Sequence, residues 1–505
     1  MSHLVIAPVI LPLLAGILLL FLRPLPFSLR RPVAVAAVLA QVALAIALLR
    51  TVNDGTILTY ALGDWAAPFG IVLVADRLSA WMLLTTTLLA LFALLYGIRG
   101  IDSNGRHFHV LFQLQLFGLN GAFLTGDLFN LFVFFEILLL ASYGLLLHGH
   151  GRLRTKAGLH FVVINLAGST LFLFAVGTLY GVTGTLNMAD LARHVALTSP
   201  EDLGLIKTAG LLLFGVFALK GALLPLHLWL PAAYANTSAP VAALFAIMTK
   251  VGAYSILRVD TLIFGSAAGP VAGLLADWIL PLALATLVIG TLGVLSATRL
   301  RQQIAYFVVV SVGSLLTAFG MGSAEAIGAG LYYLPHATFA AGALFLLADG
   351  IHTRRGEPGD RFEPGVAMTD RRLLGGYFFV AAVLMTGLPP LSGFIGKFLT
   401  LQAAMAHPAM PWIIGIVLVT SLLAVVALAR SGSVLFYRSE PAEAASAVRT
   451  TSLPRELLPL TGLLLLCVLM VLWAGPIHAF ALATSEQLLQ PQHYIGAVLG
   501  SGGTR

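Results

Sequence analysis

The chain has 505 residues, of which 59% are hydrophobic and 10% charged, and its mean hydropathy is +0.96. This composition excludes a soluble globular protein of the same length. The single cysteine, Cys467, excludes an intramolecular disulfide and a cysteine-ligated metal or iron–sulfur site, and the sequence has no Walker or dinucleotide-binding motif. Any energy source must therefore be a gradient or a partner subunit, and we expect no cofactor and no metal.

Apolar runs of about 18 to 25 residues recur along nearly the whole chain, each long enough for a hydrocarbon core of about 30 Å at about 1.5 Å per residue. They predict an all-α polytopic membrane protein with about fourteen transmembrane helices. The runs lie near residues 3–22, 33–50, 73–98, 108–125, 128–148, 157–181, 205–229, 238–260, 272–297, 302–321, 327–351, 373–404, 411–437 and 456–478.

Basic residues are unevenly distributed between alternate loops. Eighteen Lys and Arg residues fall in one set of loops, whereas the other set, termini included, holds six, Arg258 among them. Because basic loops stay on the cytoplasmic side, we expect both termini on the periplasmic side of a bacterial inner membrane. The first basic residue, Arg23, follows the first apolar run, which is the reverse of a cleaved signal peptide. Topology thus explains the net charge of +7, and no nucleic-acid partner is expected.

Four ionisable residues lie inside otherwise apolar runs: Glu136, Lys220, Lys250 and Lys397. A charge at membrane depth costs from about 3 to over 10 kcal/mol, so such residues face a protein interior or a water-filled path. Pairing would offset the desolvation of Glu136 and Lys220. A proton or cation that approaches Glu136 would weaken its hold on Lys220, which would then release a proton toward Lys250. The pattern predicts an ion or proton path, and a static pair that only fixes helix packing is the alternative.

The stretch between the sixth and seventh runs, about residues 184–204, has a different pattern. Apolar side chains recur at Leu186, Met188, Leu191 and Val195, with polar residues between them. This spacing predicts a short amphipathic helix on the outer surface.

Two of the apolar runs contain helix-breaking residues. The seventh carries Pro225, and the twelfth carries Gly387, Pro389 and Pro390. Proline removes a backbone donor and leaves carbonyls that lipid cannot satisfy but water or a charged side chain can. Broken helices at corresponding places in two halves indicate an inverted-repeat transporter, whereas a single proline kink could serve only helix packing.

The two broken helices lie five runs apart, which predicts two inverted five-helix repeats. The expected units are an N-terminal three-helix segment at residues 1–106, a first repeat of helices four to eight at 107–260, a second repeat of helices nine to thirteen at 261–438, and helix fourteen with the C-terminal tail at 439–505. Each repeat would hold one broken helix with a buried lysine, Lys220 or Lys397.

Three further ionisable residues are candidates for the same path. His336 lies in the middle of an apolar run, and the ordinary histidine pKa of about 6.5 suits proton transfer, although a lone histidine could equally bond a neighbouring carbonyl. His227, two residues after Pro225, could gate the broken helix or satisfy its freed backbone. Asp349, near the cytoplasmic end of its run, could form a proton entrance or simply be solvated.

Two motifs carry a family resemblance. The runs LPLHLWLPAAYANTSAPVAALFAIMTKVGAY and TGLPPLSGFIGKF resemble the antiporter-like proteins shared by complex I, membrane-bound hydrogenases and multisubunit Mrp cation/proton antiporters. The resemblance covers roughly residues 73–437. It implies fourteen helices with two inverted repeats, in which a fifth-helix Glu pairs with a seventh-helix Lys and a relay continues through lysines on the eighth and twelfth helices. Glu136, Lys220, Lys250 and Lys397 match these positions in order.

Within that superfamily, the segment APVAALF before Lys250 resembles the D-type components of Mrp antiporters, and the chain lacks the long C-terminal extension of the larger members. The resemblance implies a non-enzymatic, proton-translocating subunit of a Na+ or K+/proton antiporter. It also implies membrane lipid around the chain and A-, B-, C-, E-, F- and G-type subunits as partners. The alternatives are a proton-pumping subunit of complex I or a hydrogenase, and a membrane scaffold with vestigial charges.

The chain departs from the wider pattern at Ala340 and Ala341. Many relatives have a lysine at one of these positions, four or five residues after the histidine that matches His336. Without that lysine, proton passage between the two halves is expected to depend on His336 and water.

Overall fold

The computed structural model describes residues 3–65, 69–366, 368, 370–440 and 453–500. Most of this chain is helical. The helices are α1 (Ala7–Phe21), α2 (Phe27–Val52), α3 (Arg77–Gly97), α4 (Phe108–Leu124), α5 (Leu128–Leu147), α6 (Arg152–Thr183), α7 (Met188–Ala196), α8 (Leu203–Gly221), α9 (Trp229–Asn236), α10 (Ala239–Phe245), α11 (Met248–Leu262), α12 (Ala276–Ser296), α13 (Leu300–Gly320), α14 (Ala324–Arg354), α15 (Arg371–Thr386), α16 (Ser392–Ala404), α17 (Met410–Phe436), α18 (Leu453–Leu472), α19 (Ala474–Leu488) and α20 (Pro491–Leu499).

The helix lengths are those of a multi-pass membrane protein. In the described chain, ten helical segments are long and apolar enough to cross a membrane, or eleven if the pair α18 and α19, bent by 82°, forms one span. Two shorter apolar helices, α1 and α4, fall below that length. The count of fourteen spans, the repeats and the four-part division of the chain stay predictions.

Strands are few and lie in the connections between helices. β1 (Leu58–Ala61) and β2 (Val72–Ala75) pair antiparallel, with Leu58 opposite Ala75. β3 (Gly365–Val366) and β4 (Ser439–Glu440) form a short parallel pair. The β3–β4 pair ties together two loops that are distant in sequence.

The middle of the molecule is formed by helices with no lipid-facing side. The most apolar stretches of α14 and of the α10–α11 segment are buried on every face. A helix that is apolar all round belongs in a protein core. Lys250 on α11 and His336 on α14 therefore lie in the interior of the bundle.

Both predicted interruptions of the apolar runs are present. The first separates α8 from α9, where Ala222 has a left-handed backbone with φ 59° and the Leu224–Pro225 peptide is cis. The second separates α15 from α16, where Gly387 has φ 71° and the Pro389–Pro390 peptide is cis. A left-handed conformation costs an L-residue such as Ala222 about 1–2 kcal/mol, whereas Gly387 adopts it freely.

The predicted amphipathic helix is also present, as α7. Met188, Leu191 and Val195 are buried on one face. The side chain of Asn187 caps the helix by accepting hydrogen bonds from the backbone N–H groups of Ala189 and Asp190, at 3.1 and 3.2 Å. An accepting side chain at this position satisfies donors that have no partner within the helix.

The assignment of Arg258 to an outer loop is wrong. Arg258 lies on α11 and is 4% exposed, with its guanidinium donating to both carboxylate oxygens of Asp76 at 2.6 and 2.9 Å. Burial alone would raise the pKa of Asp76, but the Arg258 charge and the N–H of Ser79 hold it below its usual range. Removing one partner of such a buried pair costs about 3–5 kcal/mol, so the pair fastens the start of α3 to α11.

A second buried carboxylate fixes the opposite end of α3. Asp102, fully buried in the connection between α3 and α4, accepts two hydrogen bonds from Arg31, both at 2.7 Å, and lies 3.0 Å from His109 Nε2. Burial would raise the pKa of Asp102, but the contacts with His109 and Arg31 lower it to about 2. The Asp102 carboxylate therefore stays ionised in the folded protein at neutral pH.

Candidate functional site

Glu136 lies on α5 and faces α6. Its Oε1 is within hydrogen-bonding distance of the Ser169 hydroxyl, which also lies 3.0 Å from the backbone oxygen of Asn165. Ser169 and Asn165 are four residues apart and share one face of α6. The carboxylate is therefore held by a helix other than the one that carries the lysine.

Lys220, at the end of α8, reaches the same face of α6. Its ammonium donates to Asn165 Oδ1 at 3.2 Å and lies 6.0 Å from the centre of the Phe135 ring. The side chain is buried, with 8% of the residue exposed. Asn165 is held in turn by its own Nδ2, which donates to the Phe161 carbonyl at 2.8 Å.

Glu136 and Lys220 do not form the expected direct ion pair in this structure. Ser169 and Asn165 stand between them and give each charge a polar partner. Sequence reasoning missed both residues, although their signal was present: an Asn and a Ser spaced by four residues in the apolar run FVVINLAGSTLFLF.

The surroundings of Lys220 are tightly closed. A cavity of about 20 Å³ beside it is lined by Asn165, Trp229 and Met248, among others. A cavity needs about 10–15 Å³ to hold one water, so this one has room for a single molecule.

Gly252 lets the helices of Lys220 and Lys250 approach each other closely at Gly221. The backbones of α8 and α11 nearly touch at Gly221 and Gly252, where a Cβ on Gly252 would lie 2.4 Å from the Gly221 nitrogen. Only glycine permits this approach. The two lysines, each next to or near one of these glycines, therefore lie on adjoining helices.

Lys250 is fully buried and has no carboxylate partner among the described residues. Its ammonium donates to the Ser311 hydroxyl on α13 at 2.7 Å and lies 3.4 Å from the hydroxyl of Thr249. The Ser311 hydroxyl donates onward to the Val308 carbonyl at 2.7 Å. A static salt bridge therefore does not account for Lys250.

His336 lies on α14 against the second broken helix. Its Nδ1 is 2.9 Å from the Ser392 hydroxyl at the start of α16, and its ring centre lies 5.5 Å from that of Tyr333. A Cβ on Gly393 would lie 2.8 Å from His336 Nε2, so glycine lets the imidazole sit directly against the α16 backbone. The histidine thus belongs to the Lys397 side of the molecule.

Lys397 lies on α16, the helix that follows the second break. Its ammonium donates to the Thr386 carbonyl at 2.6 Å and to the Ser421 hydroxyl of α17 at 2.8 Å. The Thr386 carbonyl is freed by the break after α15, as expected when a helix is interrupted beside a charge. A second cavity of about 20 Å³ beside Lys397 is lined by Ser314 and Tyr333, among others, and again has room for one water.

Two serines of α13 lie close to Lys250 and Lys397. Ser311 contacts Lys250, and Ser314, three residues on, lines the cavity of Lys397. Residues at this spacing share a helix face and are separated by about 4.5 Å along the axis. Ala340 and Ala341 are fully buried and supply no polar atom beyond the backbone. Sequence reasoning missed both serines, because a serine in an apolar run is as often bonded to its own helix.

The two secondary candidates, His227 and Asp349, occupy different surroundings. His227 is buried in the first break, and its Nδ1 has no hydrogen-bond partner in the described chain. Asp349 is bonded to Arg301 at 2.6 Å and to the Tyr96 hydroxyl at 2.9 Å, so it belongs to an ion pair at the end of α14. Pro225, Pro389 and Pro390 all lie in the breaks.

The polar contacts form three groups: Glu136 and Lys220 against α6, Lys250 against Ser311 of α13, and Lys397 beside a cavity that Ser314 of α13 also lines. Hydroxyl groups both donate and accept, so a serine can pass a hydrogen bond from one ammonium to the next water, which a carbonyl cannot do. No group of three or more His, Cys, Asp or Glu that could hold a metal ion occurs in the described ranges.

Known proteins with a similar sequence or fold include components of membrane antiporters. Residues 125–424 match the family described as "NADH:quinone oxidoreductase/Mrp antiporter, TM". A probable K+/H+ antiporter component of the D type from Rhizobium meliloti is 40% identical over 99% of this chain and 98% of its own. The D-type component of a Na+/H+ antiporter from Bacillus subtilis is 37% identical over 99% of this chain and 100% of its own.

The fold agrees with these sequence matches. A chain in the structure of the Mrp complex from Dietzia sp. superimposes with a TM-score of 0.86 at 28% identity, covering 99% of each chain. The match spans the broken helices as well as the regular ones. The protein is a member of the NADH:quinone oxidoreductase/Mrp antiporter family and, within it, is related along its whole length to the D-type components of cation/proton antiporters.

Proposed function

We propose that this chain is the proton-translocating subunit of a multisubunit monovalent cation/proton antiporter in the bacterial inner membrane. The observation that carries the proposal is the set of buried and partly buried polar contacts at Glu136, Lys220, Lys250 and Lys397, in which the three lysines have no carboxylate partner in the described chain. Isolated ammonium groups at membrane depth are too costly to persist for packing alone. The relatives named as components of K+/H+ and Na+/H+ antiporters support the same activity.

Glu136 acts as the switch, through α6. When a proton or cation neutralises its carboxylate, Ser169 is released to bond the Asn165 backbone alone, and the field that Glu136 exerts on Lys220 is lost. Lys220 then holds its proton less strongly, because burial disfavours its charged form. The proton passes toward Lys250 across the close contact of α8 and α11.

The proton crosses between the two halves along α13. Ser311 takes up the hydrogen bond of Lys250, and Ser314 and Tyr333 face the water-sized cavity of Lys397. His336 lies beside Tyr333 and Ser392, so it sets the charge and hydrogen bonding at the Lys397 end. This route differs from a crossing through His336 alone.

The direct partners are proposed from the family. Other Mrp-type subunits, of the A, B, C, E, F and G types, would complete the antiporter, and Na+ or K+ would be the exchanged cation. Both termini are proposed to lie on the periplasmic side, as the loop charges predict. The competing function, proton pumping in a redox complex, would use the same buried contacts with electron transfer in place of a cation gradient.

Everted membrane vesicles from cells that express this chain with its partner subunits are expected to lose a respiration-generated pH gradient when K+ or Na+ is added. The fluorescence of a pH-sensitive dye measures the loss. Choline, which is too large to follow the same path, is the control cation, and vesicles without this chain are expected to keep the gradient. Exchange that persists without the chain, or proton uptake that follows quinone reduction and ignores the cation, would contradict the antiporter assignment.

Ser311→Ala is expected to slow exchange by about tenfold or more, because Lys250 loses its closest side-chain acceptor along the proposed crossing. Ser311→Thr, which retains a hydroxyl, should restore most of the rate, and His336→Ala should impair exchange at the Lys397 end. Ser255→Ala is the matched control, since the buried Ser255 hydroxyl bonds the Val251 carbonyl of its own helix. If Ser311→Ala exchanges normally and His336→Ala is inactive, protons cross between the two halves through His336 and not along α13.

A further inference from the structure

A groove runs between α15 and α17 on the outside of the helix bundle. It has a volume of about 790 Å³ and follows α15 from Arg371 to Thr386, a rise of about 22 Å at 1.5 Å per residue. The other wall is α17 from Val425 to Phe436. The groove therefore spans the half of the membrane between the second broken helix and the basic loop that precedes α15.

The groove is apolar along its length and is opened by missing side chains. Its walls include Phe378, Val383 and Leu428, and Gly376 faces it with no atom within 4 Å of where a Cβ would stand. The ring of Phe379 on the rim is 69% exposed. An apolar channel of this size facing the lipid calls for an apolar occupant.

The mouth of the groove carries unneutralised positive charge. Arg371 and Arg372 both line it and both are exposed, and no acidic side chain in the described chain pairs with either. The neighbouring carboxylate, Asp370, instead faces Arg354, at 3.6 Å. The planar guanidinium groups of arginine bind phosphate oxygens in pairs of hydrogen bonds, so the mouth has the charge and geometry for a phosphate ester.

The inner end of the groove reaches the transport path. Thr386 and Leu388 line this end, and the Thr386 carbonyl accepts the 2.6 Å hydrogen bond from Lys397. An acyl chain that filled the groove would shield this carbonyl from the lipid side. The bound molecule would thus cover the back of the second broken helix.

We propose that the groove binds an anionic phospholipid, with its phosphate at Arg371 and Arg372 and an acyl chain extending toward Thr386. Basic pockets between transmembrane helices bind anionic head groups in this way. A transmembrane helix of a partner is the poorer fit, because the two exposed arginines at the mouth call for an anionic group such as a phosphate ester, which an apolar helix does not supply. The proposal goes beyond the transport function and concerns binding alone.

The test uses the intact antiporter complex reconstituted in phosphatidylcholine vesicles that contain a minor fraction of phosphatidylglycerol with a photoreactive acyl chain. We expect light to attach the probe to peptides of α15 and α17. A photoreactive phosphatidylcholine with the same acyl chains should label these peptides about tenfold less, since it lacks the net negative charge. Equal labelling by the two lipids would overturn the proposal.

Two kinds of variant locate the site. Arg371→Gln with Arg372→Gln removes the charges and should lower labelling by phosphatidylglycerol about tenfold. Gly376→Trp should fill the groove and block labelling. Gly415→Trp, at the other end of α17, is the matched control because a Cβ there also meets nothing within 4 Å, and it should label normally. Undiminished labelling in the double arginine variant, or capture of another subunit by a photoreactive amino acid placed at Gly376, would overturn the proposal.

Discussion

Glu136→Gln is expected to abolish cation/proton exchange, with a loss of at least about a hundredfold, because glutamine keeps the shape of the side chain but never takes up or releases a proton. Glutamine can still accept a hydrogen bond from Ser169, so α5 and α6 should stay together and the complex should assemble. Cation-dependent loss of the pH gradient in everted vesicles measures the rate, and native gel electrophoresis of the solubilised complex measures assembly.

The bridge through α6 makes this prediction more specific. Asn165→Leu should also stop exchange, since it removes the side-chain acceptor of Lys220 and separates the lysine from Glu136. Glu325→Gln, an exposed carboxylate in the first turn of α14, is the control and should transport normally. If Glu136→Gln exchanges at the normal rate, the switch is wrong; if it prevents assembly, Glu136 is a structural anchor.

The second large effect is expected at Lys397. Lys397→Ala removes the group that bonds the Thr386 carbonyl and Ser421, and exchange should stop. Lys397→Arg should fail as well, because arginine stays charged through the cycle with a pKa above about 12.

Lys207→Arg is the control for that substitution. Lys207 is exposed on α8, so replacing one charged side chain with another there should leave exchange unchanged. Vesicle assays of the Lys397 variants should be paired with proton uptake measured at several pH values. A fully active Lys397→Arg protein would show that a fixed positive charge suffices and that no proton resides on this residue.

The sequence predicts site residues that are unfavourable in an apolar membrane helix, but it does not predict those that such a helix tolerates. A charge in an apolar run and a proline within a helix each conflict with the bilayer, so Lys220, Lys250 and Lys397 and both breaks are predictable. Asn165, Ser311 and Ser392 create no such conflict, because a short polar side chain can bond its own helix. Only the packing of α6, α13 and α16 decides which of them faces a lysine.

Helix directions near the C-terminus are not predictable from hydropathy. The last apolar run predicts one helix near residues 456–478, whereas α18 ends at Leu472 and α19 begins at Ala474 after a turn of 82°. Both helices remain apolar through the bend, so the pattern gives no signal there. Arg258 is the converse case. It is predicted to be a loop residue because it is charged, and its buried partner, Asp76, is too distant in sequence to be recognised from a local pattern.

The small size of the cavities beside Lys220 and Lys397 bears on proton leakage across the membrane. A continuous column of water through the bundle would let protons leak across the membrane. Each charge that leaks inward dissipates about 2.3 kcal/mol of stored free energy per 100 mV of membrane potential. Each of the two cavities has space for only one water molecule, so neither of them holds a continuous column of water in this conformation. If protons move along the proposed path, water must enter beside these lysines during transport, in a conformation other than this one.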